Sequence, residues 1–185
     1  MRSGAVAASA VMCFACLLAG TGAAAAAEAQ SKPGAPISVS GLPVPRFVSI
    51  KPNRVNLRSG PGTEYPTTWV YKREGLPLEI IQEYESWRQV RDSDNTTGWV
   101  LHHLLSSRRT ALVAPYEVKP DVAPPQISLY ADESESARII ATVEAGVIAN
   151  VLSCNGSWCW VSADQFRGYI RQKSLWGVYE AEIVK

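Results

Sequence analysis

Two stretches of this chain, Phe47–Leu105 and Gln126–Trp176, are copies of each other, and that self-similarity limits the fold more tightly than any single motif. Gly75 stands 12 residues before Trp87, and Gly146 stands 12 before Trp158. The first copy continues with "SWRQV" and then "GWV" from Gly98; the second continues with "SWCWV" and "GYI" from Gly168. Leu105 follows Trp99 by six residues, and Leu175 follows Tyr169 by six. Upstream, "RVNLRSG" faces "QISLYAD". One supersecondary unit is therefore present twice, in two domains of about 60 residues each.

Within each copy the pattern is that of short strands. "LEIIQ" and "WRQVR" alternate apolar and polar residues around "EYES", and "VIANVLS" and "WCWVS" do so around "NG", a strong hairpin signal. "SGPGTEYP" has too much glycine and proline for a helix, and no segment after residue 30 holds a helical period for three turns. The expected fold is all-β, two small β-barrels in tandem, because a closed sheet leaves few exposed edges.

Pro-containing tracts set the boundaries. Residues 31–46, "SKPGAPISVSGLPVPR", read as a disordered leader and 114–125, "APYEVKPDVAPP", as a linker, which places the first domain at 47–113 and the second at 126–185. Residues 1–30 carry Arg2, the apolar run "AVAASAVMCFACLLAG" and small residues through "TGAAAAAEAQ". That is the order of a secretory signal peptide, with cleavage expected between Ala25 and Gln30. A retained anchor is the alternative, since the run is near the lower length limit for spanning a bilayer. The expected address is periplasmic or secreted, with no stable membrane span once the signal is removed.

Cleavage removes Cys13 and Cys16 and leaves Cys154 and Cys159, in "SCNGSWC". An even pair in an exported chain is a disulfide candidate. If "NGSW" connects a hairpin, the two face each other at a Cα separation of about 4.5–5.5 Å, which a disulfide accepts. Aligning Trp87 with Trp158 sets Glu83 opposite Cys154 and Arg88 opposite Cys159, so the first copy has a charge pair where the second has its cysteines. A cross-strand ion pair contributes a fraction of a kcal/mol, the disulfide roughly 2 kcal/mol.

"RVNLRSGPGTEYP", a glycine before a strand, "SWRQV" and "TGWV" together closely resemble the bacterial SH3-like (SH3b) domain. The N-L-R-x-G-P-G start, the Trp two strands later and the Gly-Trp-Val finish carry the resemblance. The first copy matches well; the second is degenerate, with Tyr130, Ala131 and Asp132 in place of Arg58, Ser59 and Gly60, and Tyr169 in place of Trp99. The resemblance implies two SH3-like barrels that bind rather than catalyse. In the wider family such domains accompany cell-wall hydrolases and direct them to peptidoglycan or to peptides.

The search for chemistry agrees with that implication. The chain has no G-x-x-x-x-G-K-[ST], H-E-x-x-H or G-x-S-x-G. Its two histidines, His102 and His103, are adjacent and on a strand point to opposite faces, whereas a zinc site needs three or four convergent ligands. With 18 basic against 17 acidic residues and a pI of about 7.7, nothing pulls the chain toward nucleic acid. No cofactor or metal is expected, and the protein is expected to be a monomer. The expected function is non-enzymatic recognition of peptidoglycan or another envelope component. A periplasmic adaptor for a partner protein is the alternative, and a Cys/His cell-wall hydrolase a further one, although its thiol and imidazole would come from different copies. Trp87, Trp158, Trp99 and Tyr169 read as structural. The ligand-binding candidates are Tyr65, Trp69, Tyr71 and Tyr84, in or beside the long first loop and hairpin tip of the first copy, where aromatic side chains suit stacking on sugars or peptides.

Overall fold

The same succession of strands forms twice. In the first copy β1 (Arg46–Ile50), β2 (Val55–Arg58), β3 (Thr67–Tyr71), β4 (Pro77–Tyr84), β5 (Trp87–Arg91), β6 (Thr97–Leu101) and β7 (Leu105–Ser106) make one antiparallel sheet in the order β3-β2-β6-β5-β4-β1-β7. The second copy uses β8 (Thr110–Val113), β9 (Gln126–Tyr130), β10 (Ile139–Glu144), β11 (Ile148–Asn155), β12 (Trp158–Ala163), β13 (Phe166–Arg171) and β14 (Leu175–Trp176). Their order, β10-β9-β13-β12-β11-β8-β14, is the same permutation, and β15 (Ile183–Val184) adds to β11. This computed structural model describes residues 38–185; the signal-peptide reading of 1–30 and the first part of the leader lie outside the described residues. Among the described residues there is no α-helix, and no helix long and apolar enough to cross a membrane.

All-β tandem architecture is observed, but the expected barrels are not closed. Each sheet is an open path: β3 and β7 at its ends are not bonded to each other, nor are β10 and β14. The end strands β7 and β14 are two residues long and are held only along β1 and β8. Curvature comes instead from register shifts at Leu57/Arg58 and Ile80/Gln82, which bend the strands. A repeated glycine lets the bent sheet come together. A Cβ on Gly98 would sit 2.5 Å from Leu57, and one on Gly168 would sit 2.8 Å from Leu129. The glycines of "GWV" and "GYI" thus mark where β6 approaches β2 and β13 approaches β9.

Two boundaries move. Thr110–Val113, expected at the end of the first domain, is the opening strand of the second: β8 pairs with β11 and β14 as β1 pairs with β4 and β7. Val113 and Ala114 belong to the core that contains Leu129, Val161 and Ile170, separate from the core of Val48, Leu57, Leu78 and Val100. The tract 114–125 is therefore a loop inside the second domain, between β8 and β9, and not a linker. The described part of the leader is also packed: Val44 lies in the first core, and Ser40 gives its amide and hydroxyl to Glu83, both at 2.8 Å.

With no free linker, the copies pack against each other. Buried Ser49 and Thr110 hydroxyls lie 2.6 Å apart, and Thr110 donates to the Gly75 carbonyl at 2.7 Å. Phe47 meets Trp176 edge-on at 5.2 Å and Tyr179 at 4.7 Å. The Tyr179 hydroxyl donates to buried Glu79 at 3.0 Å, and the other oxygen of Glu79 takes Arg91. Burial, then the neighbouring Glu79 charge, pushes the Tyr179 phenol well above its ordinary range, so it stays a donor. Tyr179→Phe leaves one oxygen of Glu79 unpartnered; we expect a loss of about 1.5 kcal/mol in urea denaturation, and an unchanged midpoint would show that this tie contributes nothing.

Candidate functional site

Both copies line a groove of about 1090 Å³. One wall is β3 and the chain after it: Trp69, Val70, Tyr71, Lys72 and Arg73 all border the space. Side chains of a strand alternate between faces, so three consecutive lining residues of β3, Trp69–Tyr71, mean that the strand presents its edge there. That edge is unpaired among the described residues, since β3 ends the sheet. The opposite wall comes from the second copy, with Leu112 of β8, Val118 and Lys119 of the loop after it, and Gly146. The turn between β5 and β6 closes one side with Asp92 and Asp94.

The polar groups of the groove divide into spent and unspent. Asp92 is spent: its carboxylate accepts the amides of Asp94 at 3.0 Å and Thr96 at 2.8 Å and the Tyr71 hydroxyl at 3.0 Å. It caps a turn in which Asn95 has φ 63°, a left-handed conformation that Asn tolerates. Burial, then the Asp92 charge, drives the Tyr71 phenol far above its ordinary range. Arg54, Lys72 and Lys119 make no ion pair among the described residues. Arg73 reaches across to the Gly146 carbonyl at 3.2 Å. The groove is thus apolar, with an aromatic lip and a basic rim.

The four aromatic candidates do not form one face. Trp69 is 58% exposed on the groove lip, the most exposed tryptophan or tyrosine of the first copy. Tyr71 lines the same groove but is a buried core residue, because it points from β3 under the sheet toward Asp92; it is unsuited to stacking on a ligand. Tyr65 is on the long loop outside the groove. Its ring lies so close to Gly60 that a Cβ there would come within 2.4 Å, and Arg58 fastens the loop by donating to the Thr63 and Tyr65 carbonyls. Tyr84 sits at the β4–β5 tip, also outside the groove. Trp87 and Trp158 are buried, as structural residues are.

A smaller recess of about 220 Å³ lies against Trp87, with Arg54 and Arg58 beside it. In the second copy Tyr130 packs edge-on against the equivalent Trp158 at 5.7 Å, and Arg171 covers that ring at 4.3 Å. His102 and His103 are exposed on a short 3-10 turn after β6, where the second copy has Gln172 and Lys173. No group of His, Cys, Asp and Glu able to hold a metal occurs among the described residues.

Much of the far wall was missed by sequence reasoning because Val118 and Lys119 fall in the tract taken for a linker. Ungapped alignment back from Gly75 and Gly146 sets Ile50 against Asp121; only an insertion of eight residues in the second copy sets Ile50 against Val113 and makes Thr110–Val113 a strand. Gly75 and Gly146 confirm that register: both have positive φ, and their amides donate to the carbonyls of Ile50 and Val113.

Solved structures similar to the chain include NlpC2 and NlpC1 from Trichomonas vaginalis, each at 14% identity and a TM-score of 0.32. They cover 72% and 75% of this chain, which spans about half the length of either, 48% in both cases. No curated protein matches. The family profile described as "Bacterial SH3 domain" matches twice, over residues 51–107 and 123–177, which together make more than half of the chain. On that double match, one to each of the two equivalent sheets, the chain belongs to the bacterial SH3 domain family.

Proposed function

We propose that the protein is a non-enzymatic, exported binding module of the bacterial cell envelope, which takes peptidoglycan or an envelope protein into the groove beside Trp69. Family membership supports a cell-wall binding role. The observation that carries the site is the exposed Trp69 on the lip of a groove built by both copies. Concave, mostly apolar spaces with a few placed polar groups are where ligands bind, and exposed aromatics supply much of the energy. Export is supported by the residue order of 1–30 and by the Cys154–Cys159 disulfide, a bond that persists in oxidising compartments.

Co-sedimentation with purified sacculi tests this reading. Wild-type protein is expected in the pellet, and Trp69→Ala is expected to weaken binding by about 10-fold or more, as loss of an aromatic anchor does. Pelleting of Trp69→Ala at the wild-type level would place the contact elsewhere. The adaptor reading has its own support in the free edge of β3, which is suited to a polypeptide and offers nothing particular to a glycan.

A further inference from the structure

Resting on the binding-module reading, we propose that the groove takes an extended, acidic peptide, which adds to the free edge of β3 as a further strand. Three features converge on this occupant. The first is the edge itself. The outer backbone N–H and C=O groups of Thr67–Tyr71 have no strand beside them among the described residues, and the groove runs along the later part of that edge, from Trp69 through Arg73. Unpaired strand edges are templates for another chain, and strand addition satisfies them with main-chain hydrogen bonds that only a peptide can return.

The second feature is charge. Arg54, Lys72, Arg73 and Lys119 line the groove against Asp92 and Asp94, an excess of two positive charges, and the Asp92 carboxylate is engaged by the turn it caps. Three of the four cations stand without an ion pair among the described residues, and the fourth meets only a carbonyl. Natural sheets blunt an edge with lysine, and a cationic edge repels a second copy of itself while accepting a chain of opposite sign. The third feature is the surface along the edge. Trp69 and Tyr71, two positions apart on β3, share a face, and of the two Trp69 is exposed, so an added strand would meet an aromatic surface on that side and basic side chains at the rim. A peptide alternating acidic and apolar residues matches that division.

The probe is a labelled, capped peptide of about seven alternating glutamate and valine residues, which at ~3.3 Å per residue covers the length of β3. Fluorescence anisotropy with the whole purified protein is expected to show binding that weakens steeply with salt. Lys72→Glu combined with Lys119→Glu is expected to lower affinity about 10-fold or more. Both lysines are exposed, so the fold is retained and a wild-type circular dichroism spectrum checks it. A lysine–valine peptide is expected not to bind, and methylating alternate backbone nitrogens of the glutamate–valine peptide is expected to abolish binding. Equal binding of the methylated peptide, of the lysine peptide, or by the charge-reversed protein overturns the proposal. So does competition by peptide-free glycan strands, or protein dimerisation that the peptide does not disperse. Sacculus sedimentation run alongside separates the two readings: sacculi bound with no peptide bound overturns strand addition alone, and peptide bound with no sacculi bound overturns murein recognition alone.

Discussion

Replacing Glu83 with alanine is expected to cost about 3 kcal/mol of stability, several times what an exposed ion pair contributes. The charge pair expected across the first hairpin is present, with Glu83 directly opposite Arg88 in the β4–β5 register and the groups 3.1 Å apart. It is not the weak surface pair that the sequence implies. The Glu83 side chain is 1% exposed, and the same carboxylate takes Arg46 at 2.6 Å and both donors of Ser40. Removing it strands Arg88, itself buried, and releases the segment before β1 from the hairpin. Breaking such a group costs more than the pair contributes, because an uncompensated buried charge remains. Burial pushes the Glu83 carboxyl up, but the Ser40 amide, Arg46, the Ser40 hydroxyl and Arg88 outweigh it and hold the group at about 2. A lowered carboxylate pKa contributes stability that is fully present above the ordinary value of 4.5 and is lost as pH falls from there toward 2. The gap between wild type and Glu83→Ala in denaturant midpoint should therefore be wide at about pH 7 and shrink by about pH 3. A gap that stays constant with pH would remove the charge from the explanation.

The repeat was legible because it rests on residues with local duties. Gly75 and Gly146 supply left-handed turns, Gly98 and Gly168 supply close approaches, and Trp87 and Trp158 fill the same buried place. Each is a residue type that stands out in the sequence by itself, even where, as at Gly98 and Gly168, its packing partner lies far back in the chain. β8 was not legible for the opposite reason. All four of its residues are buried, lying between the second core and the first copy, so the strand shows no alternation to read. Once β8 was missed, the loop after it looked like a spacer, and the far wall of the groove vanished with it. Tyr71 shows a second limit. Proximity to an exposed loop placed it among the ligand candidates, whereas its place at the end of β3 gives it a burial different from that of Trp69. The closed barrel was over-read as well, because whether a two-residue strand completes a ring depends on the curvature accumulated over the whole sheet.

Removing the Cys154–Cys159 bond, by Cys154→Ala with Cys159→Ala, is expected to cost about 2 kcal/mol, less than the loss of Glu83 although the bond is covalent. The cysteines pair directly across β11 and β12, with Cα atoms 4.1 Å apart, and are separated by only five positions in sequence. So short a loop gives up little entropy when unfolded and closed, which limits what the cross-link contributes. No ionic tie replaces it. Arg109 stands where Arg46 stands in the first copy, but with cysteine in the place of Glu83 it turns to Glu182, at 2.8 Å, in the segment leading to β15. Burial raises the Glu182 carboxyl, but the Arg109 hydrogen bonds and the Tyr179 amide outweigh it and lower the group. Each hairpin thus holds a neighbouring tail. The first binds the segment before β1 through Glu83; the second binds β15 along Cys154 and Asn155, while Arg109, just before the neighbouring β8, ties the same segment through Glu182. Because that ionic tie is independent of sulfur, the double alanine variant should keep β15 protected from hydrogen exchange while its urea midpoint falls. Wild-type protein reduced under the same conditions separates the cross-link from the small cavity that alanine leaves. A midpoint that does not move on reduction would mean that the hairpin is held by its register and turn alone.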